Sequence, residues 1–151
     1  MDDRPHRVLI AALAVVATGL WWTGAANSQS GRIKPSAVVR PAGTKPFAGN
    51  PAMVLAAGAH AHEDTSLSPI QRSCSECHAD PDSYNATFTK PWPHVVDSVK
   101  KKTGLDTITA EGMVQFCMIS ALGTKPLPWD SDTLASLTAF VLERHAKVVK
   151  P

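Results

Sequence analysis

Cys74-Ser75-Glu76-Cys77-His78 constrains this chain more tightly than its size or its charge does. In a C-x-x-C-H run the two thiols add across the two vinyl groups of a haem, and the adjoining imidazole binds the iron from one side. The spacing answers to geometry. On one helical turn Cys74 and Cys77 fall on the same face, and His78 follows beneath the iron. C-x-x-C alone also serves thiol redox and zinc sites, but the first needs a strand ahead and a long helix behind, and the second a further ligand pair at short spacing. Neither pattern surrounds Cys74. The chain holds 3 Cys, too few and too odd in number for a disulfide framework, so Cys117 is a third thiol that requires its own role.

The beginning of the chain agrees with a haem attached outside the cytoplasm. Arg4, His6 and Arg7 precede an uncharged run from Val8 to Ala26, which opens on apolar residues and closes on Gly24-Ala25-Ala26. A basic start, an apolar middle and a small-residue end make up a bacterial export signal. The run also matches the thickness of a bilayer core, with Trp21 and Trp22 placed for the interface of a retained anchor. Cleaved, or kept as an inner-membrane tether, it delivers the rest of the chain to the periplasm.

Residues 1–26 are therefore expected to be a signal peptide or membrane anchor, 27–63 a linker, and 64–151 the folded domain. Pro35, Pro41, Pro46 and Pro51 interrupt the Ala- and Gly-rich middle segment, leaving no periodicity and the expectation of disorder. Arg32, Lys34, Arg40 and Lys45 against Glu63 make it basic, suited to lie along anionic lipid. The whole chain balances 15 Lys+Arg against 13 Asp+Glu, a net +2, with 44% hydrophobic and 19% charged residues. Such a balance excludes a dedicated nucleic-acid binder, a wholly disordered chain and a multi-span membrane protein.

A segment as short as 64–151 builds a small core, and a bound cofactor supplies the apolar area it lacks. The expected fold is all-α around one covalent haem, and largely unfolded without it. Ser68 followed by Pro69 reads as the N-cap and first residue of the helix that carries the motif. After the Asp80-Pro81-Asp82 turn, Pro93 to Lys102 reads as a helix stopped at Gly104. The next starts near Thr109, puts Met113, Phe116 and Cys117 on one face, and is broken by Gly123, Pro126 and Pro128. Ser131 or Asp130 caps a last helix whose Leu134, Leu137, Phe140 and Val141 recur at helical spacing and are expected to pack across the Ser68 helix. Trp92 and Trp129 are expected at the haem edge.

For the second iron ligand the residues leave two readings. Cys117 is far enough from His78 for the chain to return over the opposite haem face, and Met118 is its neighbour. A thiolate stabilises ferric iron and lowers the reduction potential, whereas a thioether favours ferrous iron and raises it. Met113, His94, His145, His60 and His62 are less well placed.

The stretch from Cys117 through PLPWDSDTLASLTAFVLERH, together with CSECH, resembles the cytochrome c domain in the A subunit of the Sox thiosulfate-oxidising cytochrome, and more loosely thiosulfate dehydrogenase. The resemblance covers about residues 68–147 and implies a small cytochrome c-like domain of the class I type. In those families a cysteine at the corresponding place ligates the haem, so the resemblance implies His78 and Cys117 as the axial pair.

Two functions follow as expectations. The first is an electron carrier: one haem c passes single electrons between redox partner proteins, among them another cytochrome subunit, in a periplasmic chain linked to sulfur-compound oxidation. Lys90 and Lys100 to Lys102 would then form a cationic docking patch. The alternative is a haem-thiolate subunit of a thiosulfate-oxidising enzyme, with Cys117 taking part in sulfur chemistry. The carrier is preferred, because sulfur coupling moves two electrons and one haem accepts one, and no acid-base pair is evident in the spacing.

Overall fold

The computed structural model describes residues 31–80 and 83–149, so the export or anchor run from Val8 to Ala26 lies outside the described residues. Among the described residues no helix is long and apolar enough to cross a membrane. The expected all-α class holds: among the described residues helices and short 3-10 turns follow one another with no strand, and the one isolated β-bridge is antiparallel, between His94 and Ile108.

Within the segment 27–63, the described residues 31–63 are not the disordered linker that the prolines suggested. Pro51–Glu63 forms a helix, α1, started by Asn50, whose side-chain oxygen accepts from the N–H groups of Ala52 at 3.0 Å and Met53 at 3.4 Å. Pro51 occupies the first helical position, where its missing N–H would have had no helical partner anyway, so it begins the helix instead of breaking it. Further upstream Pro35–Ala37 makes a 3-10 turn and Val38 is 1% exposed, while the N–H of Ile33 donates to the Lys102 carbonyl at 2.8 Å. The folded unit thus includes chain well before residue 64.

The motif helix also starts later than expected. Ser68 does not cap it: its hydroxyl donates to the Leu122 carbonyl at 2.7 Å and accepts from the Ile70 N–H at 3.3 Å. The chain then turns through Gln71, at φ 54°, and the helix α2 is the single turn Ser75–His78 with Cys74 at its N-cap. The helix α3, Asp97–Thr103, is shorter than the expected Pro93–Lys102 because His94 is held in the bridge to Ile108, and it stops as expected at Gly104, φ 81°.

Caps fix the last two helices. Thr109 accepts from the Gly112 N–H at 3.0 Å to start α4, Ala110–Ser120. Ser131, rather than Asp130, accepts from the Leu134 N–H at 3.2 Å ahead of α5, Asp132–Val149. α5 packs chiefly on α1 and then on α4, not on a Ser68 helix. At the α1–α5 crossing a Cβ on Gly58 would lie 2.1 Å from the Ser136 carbonyl oxygen, so only glycine permits the approach.

α4 runs between two apolar clusters. Phe116 packs with Val38, Val96, Val99 and Ile108, whereas Val114 and Met118 pack with Leu122, Leu134 and Leu137. Gln115 between them is 0% exposed, its amide donating to the Leu127 carbonyl at 2.7 Å and its carbonyl accepting from the Leu127 N–H at 2.8 Å. The pair ties the proline-rich loop after α4 back onto the helix. Gln115→Leu keeps the volume but leaves both Leu127 groups without partners, and is expected to lower stability in urea titration by about 2 kcal/mol. An unchanged midpoint would mean that water satisfies them equally well.

Candidate functional site

The α2 turn is braced from both ends. The N–H groups of Cys77 and His78 donate to the Cys74 carbonyl at 3.2 and 3.0 Å, and the Glu76 carboxylate reaches back to the Ser73 N–H at 3.0 Å. Arg144 on α5 donates to the Ala79 carbonyl at 3.1 Å, fixing the far end. The result is a rigid turn with Cys74 half-buried and Cys77 exposed. The imidazole of His78 stacks on Tyr84, with centroids 4.5 Å apart, and Tyr84 stacks in turn on Phe88 at 4.0 Å.

This turn forms one wall of a cavity of about 970 Å³, its open mouth included. Cys74, Cys77 and His78 line one side, and α4 contributes Met113, Val114, Cys117 and Met118. Trp92, His94 and Val96 come from the loop and bridge before α3, His62 from α1, and Leu137 and Val141 from α5. Nearly every exposed atom of the wall is apolar. Burial shapes the titration of each polar group in it. It pushes the Cys117 thiol up to about 12, with Cys74 and Cys77 adding to the shift, and it raises the Cys74 thiol and the Tyr84 phenol. It holds His62, His78 and His94 below the ordinary imidazole value, a shift that main-chain groups at Ser83 and Pro91 partly oppose for His78 and His94.

The structure therefore brings Cys74, Cys77, His78, Cys117 and Met118 to one place. Cys117 and Met118 differ in setting: Met118 is 2% exposed and belongs to the cluster with Leu134 and Leu137, whereas Cys117 is half-buried. Trp92 lines the cavity, whereas Trp129 does not; it packs on the Leu134 cluster, with the Arg40 guanidinium 5.3 Å from its ring centroid. His60 is exposed on α1, and His145 is bonded through Nε2 to the Lys90 carbonyl at 2.9 Å. In the lysine cluster, Lys100 pairs with Asp106 at 2.9 Å and the Lys102 ammonium lies 5.9 Å from the Phe116 ring centroid.

His62, which the sequence places in the linker, also lines the cavity. It is 2% exposed, tilted against Phe140 at 4.8 Å, and neither ring nitrogen has a hydrogen-bond partner. The Asn50-Pro51 start of α1 was the signal that could have placed it. Tyr84 and Phe88, which carry the stack behind His78, had no periodicity to mark them.

Among the described residues no group of three or more His, Cys, Asp or Glu side chains converges to hold a bare metal ion. Cys74, Cys77, His78, Cys117 and Met118 instead line one largely apolar space. No protein family, curated protein or solved structure matches this chain.

Proposed function

We propose that this chain is a c-type cytochrome, an exported electron carrier in which Cys74 and Cys77 bond one haem, His78 binds its iron and Cys117 completes the axial pair. The observation that carries the reading is the convergence of these four residues on one apolar cavity. A porphyrin brings its own nitrogens, so the chain would have only to supply further donors, and those among the cavity's lining residues are imidazoles and soft sulfur atoms. When bound, haem supplies a one-electron couple.

The residues divide the remaining work. Tyr84 and Phe88 fix the plane of the His78 ring by stacking, and the braced α2 turn holds both thiols on the side of His78. The apolar wall would exclude water and favour the less charged oxidation state, and with a thiolate from Cys117 that is the ferric one, so wall and ligand would act in the same direction. Exposed Cys77 stands where a partner protein would approach, so electrons enter and leave there. Lys101, Lys90 and their neighbours favour acidic partners, and the uncharged run before residue 27 supports a periplasmic, soluble or membrane-tethered location.

The alternative, a haem-thiolate subunit of a thiosulfate-oxidising enzyme, asks Cys117 to take part in sulfur chemistry as a nucleophile as well. Burial keeps that thiol protonated at neutral pH, and only a bound cation would hold it as thiolate, which favours a ligand over a nucleophile. The test is the optical and EPR spectrum of the ferric protein beside Cys117→Ser and Met118→Leu. The wild type and Met118→Leu are expected to give a thiolate-type low-spin signal that Cys117→Ser loses. A near-infrared sulfur-to-iron band lost only in Met118→Leu would move the ligand to Met118, and no pyridine haemochrome at all would overturn the haem reading.

A further inference from the structure

The chain enters the fold at a fixed point. The Ile33 N–H donates to the Lys102 carbonyl at 2.8 Å, and Ile33, Ala37 and Val38 pack into the cluster of Val96, Val99 and Phe116. Arg32 and Lys34, which flank Ile33, are thereby brought onto the C-terminal end of α3, beside Lys101 and Lys102. All four are exposed, and none makes an ion pair among the described residues. The Lys102 ammonium lies 5.9 Å from the Phe116 ring centroid, which holds its charge without neutralising it. Nearby, Lys100 is answered by Asp106 at 2.9 Å and Arg40 by Glu111, and Asp97, on the turn before Lys101, is the one acid within α3. The surface around Ile33 is therefore strongly positive.

The sequence before it limits what can lie in front. The uncharged run ends at Ala26, and residues 27–30 are all that separate it from Gly31. At full extension that stretch spans no more than about 18 Å. With the run retained in a bilayer, the fold is held with this positive surface at its tethered end, close enough for lipid charge to be felt. An acidic protein would match the charge as well, but it would have to enter the gap between tether and bilayer.

We propose that Arg32, Lys34, Lys101 and Lys102 form a surface that docks the fold on anionic phospholipid headgroups. The proposal rests on the membrane-tethered form of the exported cytochrome, and it names the acidic partner of these lysines as lipid. Each cation close to an anionic bilayer strengthens attachment about fivefold. The cysteine turn lies across α4, because Cys74 packs on the other cluster with Leu134 and Leu137. Docking consequently leaves the exposed Cys77 open to soluble redox partners.

The experiment places the full-length protein with vesicles of phosphatidylcholine, or of phosphatidylcholine and phosphatidylglycerol in equal parts, and acetylates its lysines for mass spectrometry. Flotation with phosphatidylcholine alone reports the apolar run, so failure there defeats the tether and not the charged surface. Pyridine haemochrome on the same preparation tests the cytochrome reading separately, because acetylation requires no haem. On phosphatidylglycerol, acetylation of Lys34, Lys101 and Lys102 is expected to slow severalfold, and high salt to restore it. Lys125, exposed on the loop after α4, and Lys147, paired with Glu143 at 2.6 Å, should label alike on both vesicles. Lys101→Gln/Lys102→Gln should return Lys34 to its rate on phosphatidylcholine. Oxidation of the reduced haem by a neutral, water-soluble oxidant should run equally fast on both vesicles, and a slower rate on phosphatidylglycerol would turn the Cys77 edge toward the bilayer and overturn this docking. Equal labelling of Lys34, Lys101 and Lys102 on the two vesicles would overturn the lipid surface and return these cations to a protein partner.

Discussion

Cys74→Ala/Cys77→Ala is expected to lose its haem completely to acid–acetone extraction, whereas the wild type retains it through denaturation. Acid protonates His78 and releases the iron, but thioether bonds survive, so retention reports the two cysteines alone. Cys77→Ala by itself should keep one bond, at Cys74, and move the pyridine haemochrome band toward that of a singly attached haem. It is the cleaner single variant, because Cys77 is exposed while Cys74 also packs against the Leu134 cluster. A Cys77→Ala protein with an unchanged haemochrome band would defeat the attachment.

Gly58→Val is expected to be the most damaging substitution remote from the motif. The new Cβ would sit 2.1 Å from the Ser136 carbonyl oxygen, 2.8 Å from the Ser136 carbonyl carbon and 2.9 Å from the Phe140 Cβ. Two of these are backbone atoms of α5, which cannot rotate away, so α1 must lift. Overpacking of this kind costs about 3 kcal/mol, or roughly 15 °C in Tm for a domain of this size. Ala59→Val, on the exposed side of the same helix, carries the same β-branched side chain and should cost about 0.6 kcal/mol. Far-UV circular dichroism melts of the two compare them directly. Equal melting temperatures would mean that α1 and α5 do not cross at Gly58.

What the sequence made legible was local. The end of α3 and the bounds of α4 and α5 announce themselves through Gly104, Thr109, Gly123 and Ser131, residues that act on their own immediate backbone. α1 was hidden for the same physical reason: its Ala-rich face shows no apolar stripe, and its stability comes from α5, far along the chain. Ser68 misled because its hydroxyl has a distant partner, Leu122, which outcompetes the cap it would make in isolation. At the site, the spacing of Cys74, Cys77 and His78 and the solitary Cys117 pointed to one location, where the structure places all four around a cavity. His62, Tyr84 and Phe88 reach that cavity through tertiary packing alone, and Trp129, equally plausible by composition, turns away from it.

The α1–α5 crossing also sets an order of events during synthesis. Gly58 and Ser136 lie far apart in the sequence, so α1 emerges well before the helix that covers it. Until Asp132–Val149 is out, α1 has no partner, and the wall formed by Leu137 and Val141 does not exist. Closing so long a loop is slow, because the entropy of the intervening chain must be lost before the contact is made. The cavity consequently lacks one wall until the last helix docks, and whatever enters it before then does so by a wider opening than the finished fold leaves.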